Sequence, residues 1–176
     1  MRDHNRLRRW AGGLHVLAIL AMVLLAVVVA LGLFLVELSD ELRLAAGLDP
    51  ALVLDGSRGF WVRLAGIIPL AALFYVLFQM AALFRRYAAG EFLTDRCADH
   101  ILRIGVGLLV AVVLDMLCRP LQILLASLAN PPGQRVLALS LEGADLGQVL
   151  AGGLMIVIGW TMHDAARAAE ENRGFV

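Results

Sequence analysis

Four long apolar runs decide which solvent this chain folds in. Leu14 to Val36 carries no charge and one polar ring, His15; Leu64 to Phe84 carries no charge; Ile104 to Leu128 has only Asp115 and Arg119 as charges; Leu146 to Met162 has none. A hydrocarbon core about 30 Å thick is crossed by roughly 20 helical residues at about 1.5 Å each, so every run reaches across, the fourth only just. Inside hydrocarbon a backbone amide finds no water and must bond within its own segment, which makes each run a helix. The expected fold is all-α, an integral membrane four-helix bundle, with spans at about 14–36, 62–85, 102–126 and 146–164.

These spans leave a connection at 86–101 on one side of the membrane and connections at 37–61 and 127–145 on the other. None is long enough to bury a core of its own, because chains below about 40 residues rarely fold unaided. Residues 1–176 therefore read as a single membrane domain. A hydrophobic fraction of 61% and a mean hydropathy of +0.82 agree with that.

Net charge is zero, yet all fifteen cations are arginine and they are unevenly placed. Arg2, Arg6, Arg8, Arg9, Arg85, Arg86, Arg96, Arg103, Arg167 and Arg173 gather at the two termini and the 86–101 connection; Arg43, Arg58, Arg63, Arg119 and Arg135 belong to the other side. Ten against five puts both termini in the cytoplasm by the positive-inside rule, and an even number of spans requires the termini to share a side. Trp10 and Trp160 then fall at the inner interface and Trp61 at the outer one, where amphipathic rings prefer to sit. The first apolar run exceeds the roughly 7 to 15 residues of a cleaved signal peptide, so it reads as an uncleaved anchor.

The cytoplasmic connection is sharply punctuated. Gly90 is placed to end one helix, and Thr94 to cap the next, which begins at Asp95 and runs straight into the third span. After the fourth span, His163 to Asn172 should continue as helix. Outside, Asp49 and Pro50 read as a helix start, Asp55, Gly56 and Ser57 as a turn, and Asn130 to Gly133 as a breaker cluster before the apolar stretch Val136 to Leu141.

Asp115 is the residue that apolar filler cannot explain. It lies about 17 Å along the helix from Ile104, near the bilayer midplane, where a charge costs roughly 2.5 to 3.5 kcal/mol on insertion scales. Arg119, one turn further in the favourable acid-then-base order, can neutralise it, and Cys118 and Gln122 extend the polar stripe. Arg63, at the outer end of the second span, is a further candidate for this intramembrane site. Such a site is either an ion pair that fixes helix packing or a proton-linked or ligand-sensing centre. Tyr75 with Gln79, and Gly147, Ala151, Gly152 and Gly153, read as packing positions.

The four histidines show no paired metal-binding spacing, and there is no phosphate-binding glycine loop and no nucleophile elbow. The expectation is no catalytic residue, no metal and no cofactor. Cys97 and Cys118 belong to different environments, so no disulfide is expected between them.

The run Gly90, Glu91, Phe92, Leu93, Thr94, followed by Arg103, Ile104, Gly105, resembles a family of bacterial four-span membrane proteins classed as a domain of unknown function. The ending Glu170, Glu171, Asn172, then Phe175 and Val176, is similar to the family's acidic close before a hydrophobic end. Cys97 stands where the family commonly has Asn. The resemblance implies a multi-pass protein of the bacterial inner membrane. It also implies a partner, because similar members are often encoded beside a Cro-type helix-turn-helix regulator. Glu91, Thr94, Arg96, Glu170 and Glu171 are the candidate docking residues. The expected function is a non-enzymatic sensing or interaction component without direct nucleic-acid binding. The alternative is a small proton- or solute-translocating protein, acting as a homo-oligomer, that uses Asp115 and Arg119.

Overall fold

The computed structural model describes residues 2–34, 56–92, 94–128 and 143–173, together with Leu44 and Asn130. They form α1 (Arg2–Phe34), α2 (Gly56–Ala89), α3 (Asp95–Ser127) and α4 (Gly143–Arg173). At about 1.5 Å per residue the helices measure roughly 46 to 51 Å, longer than a hydrocarbon core, so their ends project beyond it. Each contains a stretch long and apolar enough to cross a membrane: Arg8–Leu33, Gly59–Ala89, Asp95–Ser127 and Gly143–Ala169. The architecture is all-helical with four such helices, as the apolar runs predict. Gly56 and Ser57, expected in a turn, open α2. The helix start expected at Asp49 and Pro50 and the apolar stretch Val136 to Leu141 lie outside the described residues.

The helix boundaries follow from local chemistry. Gly90 adopts a φ of +92°, a left-handed conformation that costs glycine nothing, and stops α2 there. Its N–H donates to the carbonyl of Tyr87 at 3.0 Å and the next N–H, of Glu91, donates to Arg86 at 3.1 Å, so two otherwise orphaned carbonyls are satisfied. Four residues on, Thr94 takes an extended conformation and its hydroxyl oxygen accepts from the Cys97 N–H at 3.4 Å, capping α3. Both α2 and α3 run on through their internal prolines, Pro69 and Pro120.

The helices pack in chain order. α1 lies against α2, α2 against α3 and α3 against α4, and no other pair of helices comes into close backbone contact among the described residues. The bundle is thus an open row, with α1 and α4 at its edges. Because lipid tails are as apolar as leucine, such contacts depend on close van der Waals fit and cross-helix hydrogen bonds. Glycines supply the fit. A Cβ on Gly105 would lie 2.7 Å from the Gly152 carbonyl oxygen, and one on Gly159 would lie 2.6 Å from Leu102, so α3 and α4 touch nearly backbone to backbone. A Cβ on Gly107 would meet Val76 of α2 at 2.7 Å. Of the small residues expected to pack α4, Gly152 does so, whereas Gly147 and Gly153 face open space.

The core sits toward the α2–α3 connection. Val76, Leu83, Cys97, Ile101 and Ile104 are buried together, and Met80, Met155 and Met162 close over them. By contrast α1 leaves Val16, Leu17, Leu20 and Leu24 exposed, the surface expected of a helix with lipid on most sides. Trp10, Trp61 and Trp160 are all exposed, the first two within the opening turns of α1 and α2 and Trp160 near the middle of α4.

α1 is fastened to α2 by side chains that reach carbonyls. The Nε of Arg8 donates to Ala88 at 3.0 Å, and Nη1 of Arg63 donates to Leu33 at 2.9 Å. Each arginine lies near the start of one helix and caps the last turn of the other, where free carbonyls and the negative end of the helix dipole favour a cation. Between them His15 Nδ1 lies 2.8 Å from the carbonyl oxygen of Ala81, which can only accept.

Candidate functional site

Two polar groupings stand out from this apolar frame. The first lies within the membrane span of α3. Arg119 Nη2 is 2.9 Å from Asp115 Oδ2, one helical turn apart, and the two side chains are 33% and 35% exposed. The pair neutralises itself within its own helix. Gln122, predicted to share its stripe, instead donates from Nε2 to the Val62 carbonyl of α2 at 3.2 Å. Gly66 leaves the room for it, since a Cβ there would collide with the Gln122 amide. Arg63 makes its hydrogen bond elsewhere. Its guanidinium turns to the other side of α2, to Leu33, and its Nε is buried with no hydrogen-bond partner among the described residues. Cys118 is buried and free, as is Cys97.

The second grouping is at the end of the row where α2 turns into α3 and α4 passes alongside. Arg86 holds Glu91 across the turn through Nη1 and Oε2 at 3.0 Å, and Tyr87 stacks on Phe92 with ring centroids 5.7 Å apart. The buried Cys97 closes the loop inside: the Thr94 hydroxyl donates to its sulfur at 3.2 Å, and the thiol donates to the Glu91 carbonyl at 3.2 Å. Glu91 and Thr94, predicted as docking residues, are therefore engaged in building the turn. Arg96 is exposed on the first turn of α3, and Glu171 is exposed near the end of α4. Glu170 lies on the same turn of α4, and its side chain is outside the description.

Arg86 has a second role that sequence reasoning missed. Its Nε, which can only donate, lies 3.3 Å from His100 Nε2. The imidazole must accept there, so its proton is on Nδ1, which donates to Gln79 Oε1 at 2.7 Å. Gln79 is among the few buried polar residues, and this bond satisfies it. Of the two residues read as packing positions on one face of α2, Gln79 is buried and Tyr75 is partly exposed, its ring lying beside Gly107 of α3.

Across the other interface, His163 of α4 stands between two carboxylates of α3. Nδ1 is 3.2 Å from Asp95 Oδ1 and Nε2 is 3.1 Å from Asp99 Oδ1. An ionised carboxylate only accepts, so satisfying both nitrogens at once takes the imidazolium form. Asp95 and Asp99 are spaced one turn apart at the head of α3, and that spacing was the available signal for a clasp. Together these bonds join the ends of three helices into one polar platform.

The class these observations define is an all-helical protein with four helices fit to span a membrane and a cluster of cross-helix polar contacts where α2 turns into α3. The chain belongs to the family described as Protein of unknown function (DUF2975), matched over residues 44–173. The match takes in α2, α3 and α4, including Gly90 to Gly105 and Glu170 to Asn172, and begins beyond α1. No curated protein and no solved structure matches the chain.

Proposed function

We propose that the protein is a non-enzymatic sensing or interaction component of the bacterial inner membrane, with both termini in the cytoplasm. It acts by presenting the α2–α3 turn and the end of α4 to a cytoplasmic partner. The single observation that carries this reading is the platform itself: Arg86 with Glu91, His100 with Gln79, and His163 with Asp95 and Asp99 tie three helix ends together. A lone topological turn would not need so many cross-helix bonds, and rigid ends carry a change in helix packing to whatever is docked on them. Ten arginines on this side support the cytoplasmic orientation.

The partner class is a Cro-type helix-turn-helix regulator encoded nearby. Co-purification of such a regulator with the full-length chain from membranes, compared with an Arg96→Glu, Glu171→Arg variant, tests it. Loss of the regulator from the variant with the membrane protein still present supports the proposal. Equal recovery from both, or none from the native chain, removes it. The orientation is checked separately by labelling an amino-terminal tag in intact and in permeabilised cells.

A second reading is favoured by the exposure of Asp115 and Arg119, each about one third open at a depth where neither charge is needed for topology. In that reading the pair carries a proton or small solute, with neighbouring copies completing the path. Flux into proteoliposomes decides it, since Asp115→Asn must abolish a transport activity that depends on this carboxylate.

A further inference from the structure

The seam between α1 and α2 opens into a groove of about 250 Å³, lined by His15, Ile19 and Met22 from α1 and by Phe78, Ala82 and Arg85 from α2. Each trio steps by four and then three residues and so forms one helix face. One turn deeper a second groove of about 330 Å³ continues along the same seam, between Leu25 and Val29 of α1 and Leu70 and Phe74 of α2. From His15 to Val29 the two extend about 21 Å at 1.5 Å per residue. That exceeds one leaflet of a hydrocarbon core about 30 Å thick.

Polar groups stand at one end only. Arg85 and His15 mark the end nearest the α2–α3 connection, and below them the walls are apolar. Arg85 is exposed and makes no hydrogen bond or ion pair among the described residues. Arg8, Arg63 and Arg86 differ, because each bonds a carbonyl or a neighbouring side chain. Arg8 still adds charge to this mouth: it lies two turns before His15 on the same face of α1, and its Nε reaches Ala88, three residues beyond Arg85. His15 is only half satisfied. Nδ1 donates to the Ala81 carbonyl at 2.8 Å, whereas Nε2 has no partner among the described residues. That nitrogen accepts in the neutral ring and donates in the cation, so a head group with both hydroxyls and charged oxygens answers either form.

We propose that the α1–α2 seam binds one anionic phospholipid of the phosphatidylglycerol kind, with its phosphate on Arg85, a head-group oxygen on His15 Nε2 and an acyl chain along Ile19, Met22 and Phe78. Basic pockets between membrane helices suit acidic head groups, and an uncompensated cation above an apolar trough matches the division of such a lipid into charge and chain. A zwitterionic lipid would bring its own cation up to Arg85. A second copy of the chain does not fit, because a two-fold axis along the membrane normal would set Arg85 of both copies at one depth without a counter-charge. The site rests on the reading of these helices as membrane spans.

The test uses full-length protein in detergent with equimolar phosphatidylglycerol and phosphatidylcholine, with retained lipid counted by native mass spectrometry. Phosphatidylglycerol should be retained in clear preference. Arg85→Gln should reduce that preference about fivefold, the effect of one basic residue near an acidic surface, and Arg85→Lys should keep most of it. Arg167→Gln, on α4 at the other edge of the row, should leave it intact. Ile19→Trp, which fills the groove from an exposed position and keeps the arginine, should lower retention of phosphatidylglycerol. Inorganic phosphate should compete poorly because it offers no chain. The proposal is overturned if Arg85→Gln keeps the native preference, if Arg167→Gln lowers it equally, if Ile19→Trp has no effect, if phosphate alone displaces the lipid, or if the native chain is recovered as a lipid-free dimer. Failure of the membrane reading would look different, since the native chain would then stay in solution without detergent.

Discussion

Nε2 of His163 lies 3.1 Å from Oδ1 of Asp99 across the α3–α4 interface, with Nδ1 of the same ring facing Asp95 on the preceding turn. A single side chain on the edge helix thereby engages two turns of its neighbour. All three groups are partly solvated, so water weakens the contact. His163→Leu should lower stability by about 1 kcal/mol, and Asp95→Asn with Asp99→Asn by a comparable amount. The triple variant should lose little more than either, because the groups act as one unit. Unfolding in mixed micelles measures all of these.

The glycines of the same interface separate contact from composition. Gly105→Ala should force α3 and α4 apart, costing about 1 to 3 kcal/mol, since its new methyl would meet the Gly152 backbone and Ile156. Gly153→Ala, one position from Gly152 in sequence, meets nothing within 4 Å. Removing a helical glycine there should be neutral or stabilising by up to about 1 kcal/mol. Equal effects at the two positions would contradict the observed rotation of these helices.

For Asp115 and Arg119 the informative comparison is between one substitution and two. Asp115→Leu removes the carboxylate 2.9 Å from the Arg119 guanidinium within the span and should reduce folded yield. The pair Asp115→Leu, Arg119→Leu should recover most of it if the two charges serve packing alone. Folded yield restored without restored activity, in whatever assay reports the protein's action in cells, would assign the pair a working role.

Arg8 and Arg63 hold the two ends of α1, and α1 touches no helix but α2 in the described residues. Replacing either with Gln should loosen its own end of α1 by about 0.3 to 1 kcal/mol, and the double variant should release the whole helix more than the rest of the row. Hydrogen exchange resolved by segment checks this. Uniform loosening of all four helices would count against it.

Local features were legible in the sequence because their chemistry is local. The four helices follow from run length, the end of α2 from Gly90, the start of α3 from Thr94, and the bond between Asp115 and Arg119 from their spacing. Facing was not legible. A soluble helix shows its inner side by an apolar stripe, but a helix apolar all round carries no such mark. Arg63 could therefore be assigned to Asp115 when it serves Leu33, and Gly153 could be grouped with Gly152 although it points elsewhere. The bonds of His100 and His163 were hidden for a related reason: their partners lie 21, 64 and 68 residues away and depend on how three helices are rotated.

Since, among the described residues, each new helix leans only on the one synthesised just before it, assembly of these four needs no segment to wait for a distant mate. Every newly inserted helix finds its resting place already present in the bilayer. The arrangement also makes α2 and α3 the joints of the molecule: withdraw either, and what remains is a pair and a stray rod.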